Sequence, residues 1–167
     1  FGFVMAGKLL LTLYAIALPL SVDRLLVAAG RDRRFALLAF PFVYNYNLMM
    51  GFASYATAIP VALYTLTWAF RLLEAPSLRR GLVVAGLSYL TFLAHAQGYL
   101  VLGVMAIGFV LFVPRTWREF LIASAAFGAS LVPFFPWLWD EFIKPPESTA
   151  LGGAPLIPAF QDPGDLF

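Results

Sequence analysis

Residues 81–113, GLVVAGLSYLTFLAHAQGYLVLGVMAIGFVLFV, form an apolar run broken only by the polar step His95-Ala96-Gln97-Gly98. As one helix rising about 1.5 Å per residue the run would be about 50 Å long, well over the roughly 30 Å of a bilayer core. It would also carry Arg115 and Arg118 to the side opposite Arg79 and Arg80. Folded back at His95 to Gly98 it becomes two arms, Gly81 to Ala94 and Tyr99 to Val113, that leave and return on one side. Each arm reaches only about 21 to 23 Å, so the turn is expected to lie a few Å inside the far boundary. The fold class that follows is all-α: a polytopic transmembrane helical bundle with short or half-length helices and recessed, outward-facing turns.

Charge placement extends this reading to the whole chain. Nine of the eleven lysines and arginines fall in three clusters, Arg24 to Arg34, Arg71 to Arg80 and Arg115 to Arg118, with apolar sequence between them. Basic clusters near span ends mark the cytoplasmic side, so each interval between clusters crosses an even number of times. Before the first cluster, Phe3 to Leu26 reads as one span. Between the first two, Phe35 to Tyr44, with Pro41 inside it, is a half-helix ending at Asn45-Tyr46-Asn47, and Leu48 to Phe70 is a full span. After the third, Phe120 to Phe135 leaves outward. About six membrane segments thus occupy 1–139. Trp68 and Trp117 beside the basic clusters, and Trp137 and Trp139 past the last apolar run, fit an interfacial aromatic belt.

Composition agrees. Hydrophobic residues make up 62% and charged residues 12% of the 167, and the mean hydropathy is +0.85. A soluble fold would lack the polar surface to cover itself. The net charge of +2 comes without a basic tail or aromatic-basic alternation, which argues against nucleic-acid binding. With no cysteine there are no disulfides, thiol nucleophiles or cysteine metal sites. Lys8 followed by Leu9 to Leu20 also has a signal-peptide pattern, but further apolar segments follow instead of a cleavage motif. Residues 140–167, rich in proline and glycine, read as an extracytoplasmic loop, with Asp162-Pro-Gly-Asp165 suited to a type II turn. The chain opens at Phe1 and stops within this loop, as expected of part of a longer polypeptide.

Close helix packing is expected where small residues recur four apart: Gly81 with Ala85, Ser54 with Ala58, Ser124 with Gly128. Asp23 with Arg24, and Asp32 among Arg31, Arg33 and Arg34, are expected as surface ion pairs. Two polar turns held inside the hydrocarbon need partners or water, which a cavity open to the outer side would supply. In that cavity His95, the only histidine, is the first candidate for substrate binding; its bland alternative is a helix-end bond to backbone. Asn45, Asn47 and Gln97 suit sugar hydroxyls or phosphate oxygens, with Tyr44, Tyr46 and Tyr99 as flanking platforms, or else simply cap half-helices. Asp140 and Glu141 form an acidic pair that could act as base or hold a divalent cation, or merely be solvated. No metal site is expected from a single histidine, and no phosphate-cradling glycine loop, serine nucleophile elbow or HExxH occurs.

The stretch Arg24-Leu-Leu-Val-Ala-Ala-Gly-Arg-Asp-Arg-Arg34 leading into a short apolar helix, then Asn45-Tyr-Asn-Leu-Met-Met-Gly-Phe-Ala-Ser-Tyr55, then Phe92-Leu-Ala-His95, resembles the membrane portion of the C-type glycosyltransferase superfamily. The likeness covers Leu9 to Val113 and is one of layout. It implies an outward cavity where a polyprenyl-phosphate sugar meets its acceptor, with inverting displacement at the anomeric carbon; the composition suits a bacterial inner membrane. His95, Asn45, Asn47 and Gln97 would position phosphate or sugar. The family uses a carboxylate in its first external loop as base or metal ligand; no such loop is present here, and that role is not carried over to Asp140 or Glu141. A transporter or flippase segment, with half-helices meeting near mid-depth, and a noncatalytic subunit that binds partner helices of the rest of the protein are the alternatives.

Overall fold

Pro76-Ser77, His95 and Pro114-Arg115-Thr116 punctuate the second half of the chain, and helices run between them. The computed structural model describes residues 2–139, in which the elements are α1 (Phe3–Ala28), a 3₁₀ helix (Arg33–Val43), α2 (Tyr46–Met49), α3 (Ala53–Glu74), α4 (Leu78–Ala94), α5 (Ala96–Phe112), α6 (Trp117–Ala129) and α7 (Phe135–Leu138). The described residues are therefore all-α, without strands. Two compact units divide at Phe135 and Pro136. The first holds everything up to α6; of the second, only the end of α7 and Trp139 are described. The expected loop over 140–167, with Asp140, Glu141 and the Asp162-Pro-Gly-Asp165 turn, lies outside the described residues.

Local chemistry sets the helix starts. Ser77 Oγ accepts the Arg80 amide at 3.3 Å and caps α4. Thr116 Oγ1 accepts the Glu119 amide at 3.2 Å, while the Glu119 carboxylate accepts the Arg115 amide at 2.8 Å, a reciprocal closure of the capping-box kind at the start of α6. Asp32 caps the 3₁₀ helix through the Arg34 amide at 2.9 Å and so is a capping group, while Asp23 pairs with Arg33 (3.0 and 3.2 Å) and not with adjacent Arg24. Neighbours in sequence on a helix point different ways, whereas the 3₁₀ helix returns alongside α1 and brings Arg33 back to Asp23.

α3 is the hub, packing against α1, α2, α4, α5 and α6. Its buried face is small and smooth: Ala56, Ala58, Ala62 and Ala69 with Leu66 and Leu72. The main core joins that face to Val84, Leu102, Phe109 and Ala123. Buried hydroxyls turn inward on their own helices: Thr65 and Thr67 bond the carbonyls of Val61 and Leu63, Ser88 that of Val84, and Thr91 that of Leu87. No described buried side-chain polar atom lacks a partner.

Several boundaries differ from the sequence expectation. The arms of the hairpin are longer, 17 residues each, because the first turn of α4 takes in Leu78 to Arg80 and that of α5 takes in Ala96 to Gly98. The break is His95 alone. The expected span from Leu48 starts instead at Ala53, since Gly51, at φ 86, turns the chain between α2 and α3 in a conformation that favours glycine. The last segment is helical over Trp117–Ala129, then gives way to turns. A Cβ added at Gly81 or at Gly128 would meet no neighbouring atom within 4 Å, so neither glycine is a point of close helix approach; Ser54 is exposed. Ala58 is fully buried, and its close neighbour is Gly98.

The ends of the helices sort by charge. Leu26 from the end of α1, Phe70 from the end of α3 and Gly108 and Val113 from the end of α5 line one hollow of about 380 Å³. The three basic stretches that follow or surround these ends therefore gather at one end of the first unit. Two helices, Met5–Ala28 and Ala53–Glu74, are long and apolar enough to cross a membrane; α5 is apolar but shorter. They are covered unequally: half of the α3 window is buried within the fold, but only 22% of that of α1. Every residue from Met5 to Leu13 is exposed, and so are Leu37, Leu38, Phe40 and Phe42 on the 3₁₀ helix.

Candidate functional site

The 3₁₀ helix runs back along α1 and stops partway. Its end is fixed by Asn45, whose side chain uses both of its ends. Oδ1 accepts the Leu48 amide at 3.0 Å and caps α2; Nδ2 donates to the Tyr14 hydroxyl at 2.9 Å and to the Phe42 carbonyl at 3.2 Å. Tyr14, almost wholly buried, packs with Leu18, Val43 and Ala56. Tyr14 lies eleven residues along α1 from Phe3, so the Asn45 turn sits about 16 Å short of the other end of α1.

Beside this knot lies a hollow of about 490 Å³ between α1, the 3₁₀ helix and α3. Leu18, Leu38, Phe42 and Ile59 give it an apolar body; Asn45, Asn47 and Tyr55 give it a polar edge. That is the volume and lining of a small-molecule site: mostly apolar, with a few polar groups to fix orientation. Asn47 is half-buried, and neither its amide group nor the Tyr55 hydroxyl has a hydrogen-bond partner among the described residues.

The second polar turn reaches this hollow through Tyr55. His95 adopts extended backbone (φ −168°, ψ 127°) between α4 and α5, and its Nδ1 accepts the Gln97 amide at 3.2 Å. Accepting at Nδ1 places the proton of the neutral ring on Nε2 and leaves that atom as a donor. The imidazole meets the Tyr55 ring edge to face, centroids 5.5 Å apart at 85°. One helical turn along both helices, Gly98 lies against Ala58 so closely that a Cβ built on Gly98 would be 2.5 Å from that of Ala58. Glycine at 98 is what allows α5 to approach α3 and His95 to reach Tyr55.

The structure thus brings Asn45, Asn47 and Tyr55 to one hollow and sets His95 against its Tyr55 wall. Gln97 and Tyr46 are exposed and do not line it. Tyr99 is no ligand platform: it is 8% exposed, its hydroxyl lies 2.9 Å from Ser130 Oγ, and its ring packs on Phe92 and Phe134. Sequence reasoning passed over Tyr14 and named Tyr55 only as the end of the Asn45–Tyr55 stretch. The signal for Tyr14 was a phenol within an aliphatic helix, whose hydroxyl requires a partner once buried. Among the described residues no group of three or more His, Asp or Glu side chains could hold a metal ion. No family model, curated protein or solved structure matches this chain.

Proposed function

We propose that the chain is a polytopic membrane segment whose hollow between α1, the 3₁₀ helix and α3 binds an amphiphile. We further propose that the amphiphile is a polyprenyl-phosphate sugar, from which the whole protein moves the sugar to an acceptor on the outer face. The observation that carries the membrane reading is the apolar surface left bare, above all Met5 to Leu13 of α1 and the outer side of the 3₁₀ helix, far more than a soluble monomer exposes. Lipid, or helices from the rest of the protein, would cover it. The gathering of basic stretches at one end supports an orientation with that end in the cytoplasm. The Asn45 turn then lies at depth, on the outer side of mid-membrane, where a water-accessible cavity would solvate it.

The lining supports an amphiphilic ligand. Leu18, Leu38 and Phe42 suit a prenyl chain, Asn47 and the Tyr55 hydroxyl offer donors to a phosphate or sugar at the edge, and His95, packed against Tyr55 outside the lining, would add Nε2 to a headgroup that extends past Tyr55. In this reading His95 and Asn47 bind and orient, while the base that deprotonates the acceptor belongs to another part of the protein. The full-length protein, purified and given polyprenyl phosphate carrying labelled sugar, is expected to transfer label to an acceptor. Solute flux into vesicles without transfer would replace this reading with the transporter.

A further inference from the structure

A second hollow, of about 750 Å³, opens at the basic end, where α3 passes into α4. It is lined by Trp68, Arg71, Glu74, Ser77, Arg79 and Arg80. Three arginines and one glutamate thus share this lining, and among the described residues none of the arginines forms an ion pair. Their roles differ. Arg80 donates through one nitrogen to the carbonyls of Arg71 and Ala75, closing the end of α3. Arg71 lies over the Trp68 ring, 5.2 Å from its centroid, which holds its planar group in place. Arg79 is exposed and has no protein partner among the described residues. α4 starts beside the hollow: Ser77, its N-cap, lines it, and the Leu78 and Arg79 amides have no partner among the described residues.

We infer that this hollow binds the phosphate of an anionic phospholipid headgroup. The inference rests on the membrane reading above, which puts the end of α3, with Trp68 and Arg71, at the cytoplasmic interface. An excess of two positive charges in a concave site, a guanidinium fixed on an aromatic face, and a helix start nearby together recognise phosphate. A lipid is the occupant because the site sits where the polar surface begins at the end of a span. Basic pockets between helices at that level attract anionic lipid.

The test uses the full-length protein purified in detergent with equal phosphatidylglycerol and phosphatidylcholine, with retained lipid counted by native mass spectrometry. The protein is expected to keep phosphatidylglycerol preferentially. Arg71→Gln with Arg79→Gln should reduce that preference by about tenfold or more, and Arg79→Gln alone by about fivefold. The single variant decides if the double does not fold, because Arg79 is exposed and bonds no described protein group. Arg118→Gln, on a different basic stretch, should leave the preference intact. Equal retention of both lipids by the unaltered protein, or an undiminished preference in the Arg79 variant, would overturn the assignment. So would inorganic phosphate stabilising the protein against heat as well as phosphatidylglycerol does, which would make it a site for soluble anions. Alkaline carbonate treatment of membranes separates the two readings. Release of the chain removes both; a retained chain without lipid preference removes this site alone.

Discussion

Asn45 and His95 both stand at helix starts, and at both the side chain is partly spent on backbone. Asn45 is spent entirely: Leu48 N, the Tyr14 hydroxyl and Phe42 O take its donors and its acceptor. Asn45→Ala removes a cap and a buried bond together, an expected loss of about 2 kcal/mol in chemical denaturation, whereas Tyr14→Phe should cost about 1 kcal/mol. A double-mutant cycle between them should show coupling of about 0.5 to 1.5 kcal/mol; additivity would mean the bond contributes nothing. His95 is spent only at Nδ1. His95→Ser keeps an N-cap acceptor and discards Nε2, so the variant should retain its thermal midpoint and membrane abundance while sugar transfer falls. Full activity in His95→Ser would remove the imidazole from ligand binding. These two positions were legible in the sequence as polar steps in apolar runs. Which of their atoms remained free was not, because that depends on Tyr14 and Gln97, whose positions follow from the packed chain.

Between elements, the contact that shapes the site is that of Gly98 with Ala58. The sequence pointed to small residues four apart on one helix, and three glycine- or serine-based pairs looked alike; in the structure Ala58 lies against Gly98, whereas a Cβ on Gly81 or Gly128 would meet nothing. The distinction is one of facing: a small residue permits close approach only where another helix lies opposite. Gly98→Ala should destabilise by about 1 to 3 kcal/mol through overpacking. Because the obstructing atom is the Ala58 Cβ, combining it with Ala58→Gly is expected to recover most of the loss, measured by heat denaturation in detergent. The hairpin break was legible for a simpler reason, since a helix through 81–113 would outrun the bilayer. Its extent was not, since Ala96, Gln97 and Gly98 continue as helix once His95 supplies the cap. The 3₁₀ course of Arg33–Val43 was read only as a short apolar helix; nothing in its sequence separates the two helix types.

At the scale of the molecule, the absence of cysteine makes topology directly testable. Single cysteines replacing Arg33, Ser77 and Thr116 should resist an impermeant thiol reagent in intact cells, while one replacing Gln97, exposed at the opposite turn, should react. Labelling of the first three from outside would invert or abolish the arrangement. The order of the helices was legible from charge and hydropathy. The bareness of α1 was not, because a hydrophobic span looks alike in sequence whether it faces lipid or protein. The hydroxyls of Thr65, Thr67, Ser88 and Thr91 add a consequence for biogenesis. Each closes on the backbone one turn behind it, so on the membrane reading these four hydroxyls would need no partner from another helix while α3 and α4 enter a bilayer. Side-chain bonds between segments, Tyr14 to Asn45 and Tyr99 to Ser130 among them, would then close late and set the register in which inserted helices come to rest.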